Sequence, residues 1–185
     1  MNSPFFAAYE YSQLNELPSV LSYPRYFFPG AAMDGGMDGT QVKICPLDGQ
    51  PWYGTFAFGD VTPNGHSGIF PTPDPRRLCV VAKGAGYMVS CDTPTDWGYV
   101  DCTPIMDVRI SQSNEVLVFA SYVDLVAYGR NGIKWRTKQL AWDGLKITEI
   151  TEHLVIGEYF DMRSDGSAEF TVNLKTGVSS GGAEE

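Results

Sequence analysis

Three dipeptides, Asn131-Gly132, Asp143-Gly144 and Asp165-Gly166, restrict what this chain can fold into more than any other feature. Asn-Gly and Asp-Gly enter positive φ readily, which tight hairpin turns demand. The runs around them alternate. Met106, Val108 and Ile110 interleave with Asp107 and Arg109, and Ala168, Phe170, Val172 and Leu174 interleave with Glu169, Thr171 and Asn173. Period-two alternation gives a strand one dry face and one wet face, as in antiparallel sheets. From Leu78 onward the expectation is therefore all-β, mainly antiparallel.

A repeat runs through the same region. LCVVAKGAGYMV (78–89), VLVFASYVDLVA (116–127) and HLVIGEYFDMRS (153–164) share an apolar triplet, a small residue (Ala82, Ala120, Gly157), a short break and a second strand. A spacing of about 38 residues suits blade or solenoid units, none able to bury its own face alone.

The stretch LVAYGRNGIKWRT resembles one blade of the PQQ-type β-propeller repeat, with Ala127, Gly132 and Trp135 in the alanine, turn-glycine and tryptophan roles. CPLDGQPWYGT echoes its glycine-to-tryptophan part through Gly49 and Trp52, and FTVNLKTG is similar to the strand and turn that close such units. The likeness spans residues 78–177. Both intervals, Ala127 to Gly132 and Gly132 to Trp135, are one residue shorter than the family's, and nothing in it implies quinone binding. The expected fold is a set of blade-like hairpin repeats packed as a β-sandwich or incomplete propeller.

Towards the N-terminus the pattern changes. Ser3 and Pro4 suit the start of a helix, Ala7, Tyr11 and Leu14 recur at i, i+4 and i+7, and Pro18 ends the pattern. A short helix is expected there, then a loop-rich stretch with strands at 41–45 and 54–58. Trp52, Tyr53, Phe56, Phe58, Phe27 and Phe28 are read as core. The expected organisation is one domain over 1–185: a loop-rich part (1–77), a β-repeat core (78–177) and a flexible tail (178–185).

Charge narrows function. With 13 basic against 22 acidic residues, a net −9, the chain lacks the broad cationic surface that nucleic acids and anionic membranes require. No run of about 18 apolar residues is present, and MNSPFFAAYEYSQLNELP lacks the pattern of a secretory signal. The expected location is cytoplasmic. Cys45, Cys79, Cys91 and Cys102 form no C-x-x-C pair, so they are read as free buried thiols, the alternative being a strained Cys91–Cys102 bridge across a hairpin.

Against that acidic background Arg130, Lys134, Arg136 and Lys138 stand out. Folded about Asn131-Gly132, the hairpin sets Trp135 across from Tyr128 and Thr137 across from Val126, with Ile133 on the same inward face. Lys134, Arg136 and Lys138 are thereby turned to solvent. Cations on an exposed strand deter edge pairing, and they also suit an acidic protein partner or an acidic surface of a second copy.

Catalytic ingredients are few. His66 lies in TPNGHSGIFPTPDP near Asp60 and Asp74, where a loop histidine beside acids suits a general base or metal ligand. GHSG lacks the spacing of a nucleophile elbow. His153 opens a predicted strand and is read as structural. Asp34 and Asp38 in MDGGMDGT lack the remaining ligands of a calcium loop and are read as a turn. No cofactor is expected. The leading expectation is a non-enzymatic β-domain that binds a protein or itself through the cationic face. The alternative is a small hydrolase or metal-dependent enzyme centred on His66, Asp60 and Asp74, and a third is a small-ligand pocket built before Pro75.

Overall fold

Alternating sequence becomes strand throughout. The structure, a computed structural model, describes residues 4–18, 22–30, 38–59 and 65–183. Among these it contains sixteen strands in four four-stranded sheets and no helix. The chain divides into two compact units, Met1–Val100 and Asp101–Glu185.

In the first unit, β1 (Tyr9–Leu14), β2 (Arg25–Phe28), β3 (Gly39–Pro46) and β4 (Trp52–Ala57) form a sheet of order β1-β3-β4-β2, with β2 parallel to β4. The next sheet, β5 (Gly68–Pro71), β6 (Arg77–Ala82), β7 (Ala85–Ser90) and β8 (Trp97–Tyr99), is a meander in chain order. The second unit holds two further meanders: β9 (Asp107–Ser111), β10 (Val116–Ala120), β11 (Leu125–Gly129) and β12 (Gly132–Arg136), then β13 (Lys146–Ile150), β14 (Leu154–Asp161), β15 (Gly166–Asn173) and β16 (Ser179–Gly181).

The expected N-terminal helix is absent. Tyr9–Leu14 is instead a strand, paired antiparallel along its whole length with β3, and the Tyr9 hydroxyl donates to the Arg77 carbonyl. Tyrosines suit a pleated surface, and the long partner strand offers six residues of ladder that the local i, i+4, i+7 coincidence could not reveal. At the other end, Ser179–Gly181 pairs with β15 inside the segment expected as a tail.

The repeat has a physical counterpart. Within the second unit the Arg109 guanidinium donates to the Ile147 carbonyl and the Asn114 amide to the Glu152 carbonyl, each 38 residues on. The Trp135 indole N–H donates to the Leu174 carbonyl, 39 residues on, at 2.7 Å. In the first unit the Trp52 indole does the same to the Cys91 carbonyl, also 39 residues on, at 2.8 Å. Sheet thus bonds to sheet at one repeat length. The small residue of the third copy is explained as well: a Cβ at Gly157 would lie 2.2 Å from the ring of its cross-strand partner Phe170.

Each unit has its own core. Tyr9, Phe28, Val42, Ile44, Trp52 and Phe56 meet Leu78, Val80, Tyr87 and Val89 in the first. Val118, Ala127, Trp135, Ile147, Phe170 and Val172 meet in the second. Of the aromatics read as core, Phe58 is partly exposed and Lys83 lies over its ring.

Replacing Trp135 or Trp52 by Phe removes one indole donor and strands a buried carbonyl, so each change should cost about 1–3 kcal/mol in urea titrations. Gly177, at φ +73° and packed on the Trp135 ring, should tolerate Ala no better: left-handed strain and overpacking together predict a loss of about 2–4 kcal/mol.

Candidate functional site

The cationic strand is the edge of its sheet, bonded only to β11. Trp135 and Thr137 face inward as expected, and Lys134, Arg136 and Lys138 are exposed. The pairing differs in register. Gly129 faces Gly132 and Tyr128 faces Ile133, but Ala127 faces Trp135 and Val126 faces Arg136, so Lys134 is an extra, bulged residue. A bulge spends two residues against one and breaks the alternation there. Ile133, expected inward, is consequently 50% exposed.

Arg136 is not an unpaired cation. Its Nη1 donates to Asp124 Oδ2 at 2.8 Å, and its Nη2 reaches Asp101 Oδ2 at 2.8 Å as well as the Asp101 carbonyl. Both acids are themselves held. The Tyr128 hydroxyl accepts from the Asp101 N–H, and the Ser121 hydroxyl donates to Asp124 while accepting from the Val123 and Asp124 N–H groups. Partial burial pulls the Arg136 pKa down, but hydrogen bonds and charge from Asp124 and Asp101 outweigh it and leave the pKa above its ordinary value.

Arg130, Lys134 and Lys138 differ. None forms an ion pair among the described residues, and Lys134 Nζ donates only to the Asn114 carbonyl, at 3.2 Å. Arg130 and Lys134 line a cavity of about 260 Å³ between the hairpin end and the Asn114–Glu115 turn. Arginine and lysine donors flanking a shallow hollow can take a carboxylate or another anion.

Of the other candidates, His66 and Asp74 lie apart. Asp60 and Asp34 lie outside the described residues. His66 precedes β5, its ring stacked on Phe70 and its carbonyl accepting from the Gly84 N–H. Asp74 follows β5, where its carboxylate caps the Arg76 N–H and meets Arg77 at 3.8 Å. The strand between them puts His66 and Asp74 at opposite ends of a span of about 13 Å or more. Among the described residues no group of three His, Cys, Asp or Glu side chains could hold a metal ion. His153 sits in the turn before β14, its N–H bonded to Thr151 Oγ1.

Cys91 and Cys102 are both free and buried, as is Cys79. The β7–β8 hairpin pairs Val89 with Trp97 and Tyr87 with Tyr99, leaving Cys91 in the connecting loop. Burial raises all three thiols: Cys79, Cys91, and Cys102, which is pushed up to about 12, with Asp124 adding to the rise and Arg136 opposing it. No helix among the described residues is long and apolar enough to cross a membrane.

No family model, curated protein or solved structure matches this chain. The likeness of residues 78–177 to a PQQ-type blade therefore brings no activity with it.

Two outcomes are expected. Alkylation by iodoacetamide at pH 8 should label the half-buried Cys45 first, with Cys79, Cys91 and Cys102 reacting only on unfolding, as mass spectrometry of labelled peptides would register. A double-mutant cycle on Arg136 and Asp124 should give a coupling of about 1 kcal/mol or less after solvent screening, with Asp124 the more buried partner.

Proposed function

We propose that this chain is a non-enzymatic binding module whose cationic hairpin takes an acidic protein surface, a second copy of the chain included. The observation that carries the reading is the division of labour within the row. Arg136 is consumed by Asp101 and Asp124 and stiffens the strand, while Arg130, Lys134 and Lys138 project from it without an acid among the described residues. In a chain of net charge −9, three such cations around one hairpin form a local reversal of sign. Opposite patches on one molecule favour self-association and speed encounter with acidic partners.

The same reading takes the three meander sheets as blade-like units, and within each compact unit one indole, Trp52 or Trp135, bonds to a carbonyl at the end of a neighbouring sheet's strand. Repeat sheets of this kind offer edges and hairpin ends as contact surfaces. It places the protein in the cytoplasm, in keeping with four thiols and no disulfide. The hydrolase reading draws no support from His66 and Asp74, which β5 holds apart.

Reversing Arg130, Lys134 and Lys138 to Glu should leave the fold intact and abolish association that weakens between about 50 and 500 mM salt. Sedimentation of the full chain alone and with acidic partner proteins reads this directly. Salt-sensitive association that survives the triple reversal removes the proposal.

A further inference from the structure

Tryptophan is normally tied down when it folds: its ring packs and its N–H finds an acceptor. Two of the four here meet both conditions and a third meets the first. Trp52 and Trp135 donate to main-chain carbonyls, and Trp97 packs against the rings of Phe28, Tyr87 and Tyr99. Trp142 does neither. It is 54% exposed and, among the described residues, makes no hydrogen bond and stacks on no other ring, although its neighbours Leu140 and Ala141 are fully buried.

Trp142 is not alone on the surface. It walls a cavity of about 470 Å³ together with Phe160 (50% exposed) and Met162 (64% exposed), with Tyr159 anchored on the core behind them. One side is main chain: Gly181 and Gly182 both have positive φ, and a Cβ on Gly182 would press on Leu140, so this wall stays bare of side chains. The volume falls within the range of about 300–1,000 Å³ usual for small-molecule sites. A protein surface would need a far larger area.

The polar groups set the ligand's chemistry. Asp161 and Arg163 line the same cavity with opposite charges, so neither a cation nor an anion is favoured overall. Asp161 is held as a carboxylate by the Ser164 hydroxyl and the Arg163 and Ser164 N–H groups, which lower its pKa and use three of its roughly four acceptor positions. A purely apolar ligand would bury that remaining acceptor and the Trp142 N–H without partners. A neutral molecule with one C–H-rich face and a rim of hydroxyls meets both demands.

We propose that this cavity is a carbohydrate-binding site, in which a pyranose ring lies against the Trp142 indole and its hydroxyls meet the indole N–H, Asp161 and the Gly181–Gly182 backbone. The site is separate from the cationic hairpin and does not rest on that reading. The arrangement calls for one or two linked neutral sugars, with no covalent step.

The test is a titration of the full chain with gluco-, galacto- and manno-configured mono- and disaccharides to about 20 mM, which captures a Kd near 1 mM. Intrinsic tryptophan fluorescence follows binding, because Trp142 is the most exposed indole. A saturable change with at least one sugar series is expected. Trp142→Ala should weaken binding about tenfold or more and Trp142→Phe less, as for a stacking anchor. Met162→Ala, exposed enough to spare the fold, should weaken it several-fold. Absence of saturable binding by the wild-type chain overturns the proposal, as does binding that Trp142→Ala and Met162→Ala both leave unchanged. Capture of an apolar peptide at Trp142 with no response to sugars overturns the ligand class.

Discussion

An indole N–H meeting a main-chain carbonyl one repeat further on is the bond from which the architecture of both units follows. A four-stranded sheet alone cannot bury both faces, and its strand ends carry carbonyls that need donors. Trp52 and Trp135 solve both problems at once: the ring fills the space between two sheets and its N–H satisfies Cys91 or Leu174. Because each acceptor sits just past the end of a strand in a different sheet from the donor, neither sheet is complete without the other. The folding element is the pair, and nearest-neighbour coupling of this kind is what distinguishes repeat architectures from a single continuous core.

Arg136 shows how strand geometry and electrostatics combine. Alternation around Trp135 decides that residue 136 points away from the core, whatever its identity. Its charge is then used to gather two carboxylates from segments far apart in the chain, Asp101 and Asp124. Each is pre-positioned by a hydroxyl, Tyr128 or Ser121, so the guanidinium closes a network rather than a lone surface pair. The bulge at Lys134 adds a second effect. By interrupting the alternation it turns Ile133 and Lys134 outward together, so the hairpin tip is broader and more cationic than a regular ladder would make it.

What was legible in the chain follows from the range of the forces involved. Local forces were readable: alternation at 106–110 and 168–174, the inward Trp135, and strands near 41–45 and 54–58 all appear as β9, β15, β12, β3 and β4. Features that depend on a distant partner were not. The segment at Tyr9–Leu14 carries a helical coincidence and a β-compatible composition, and only the presence of β3 decides between them. Lys134 carries no mark of a bulge, because the extra residue is set by where the turn closes; Gly129 pairs with Gly132, one position before the Asn-Gly reading. The acids on Arg136 lie 12 and 35 positions away, so the row looked uniformly unpaired. His66 and Asp74, close in sequence, are separated by the intervening strand, since extended chain carries residues apart faster than any other regular structure.

Trp142 was hidden for the opposite reason. Leu140, Ala141 and Trp142 form an apolar triplet that runs into the Asp143-Gly144 dipeptide, and the first two are core. The chain bends at Trp142–Asp143 without pairing β12 to β13, Gly144 takes φ +78°, and the indole is left outside. Local preference, hydrophobic pattern and turn chemistry agree almost everywhere else in this unit, and a large ring left half in water is where they part. Stability alone does not account for that placement: the same sequence ties Trp52 and Trp135 by hydrogen bonds and packs Trp97 among three aromatic rings, and Phe160 and Met162 meet Trp142 around one cavity. When several residues break the same rule at the same place, the shared exception points to an occupant rather than to three independent defects.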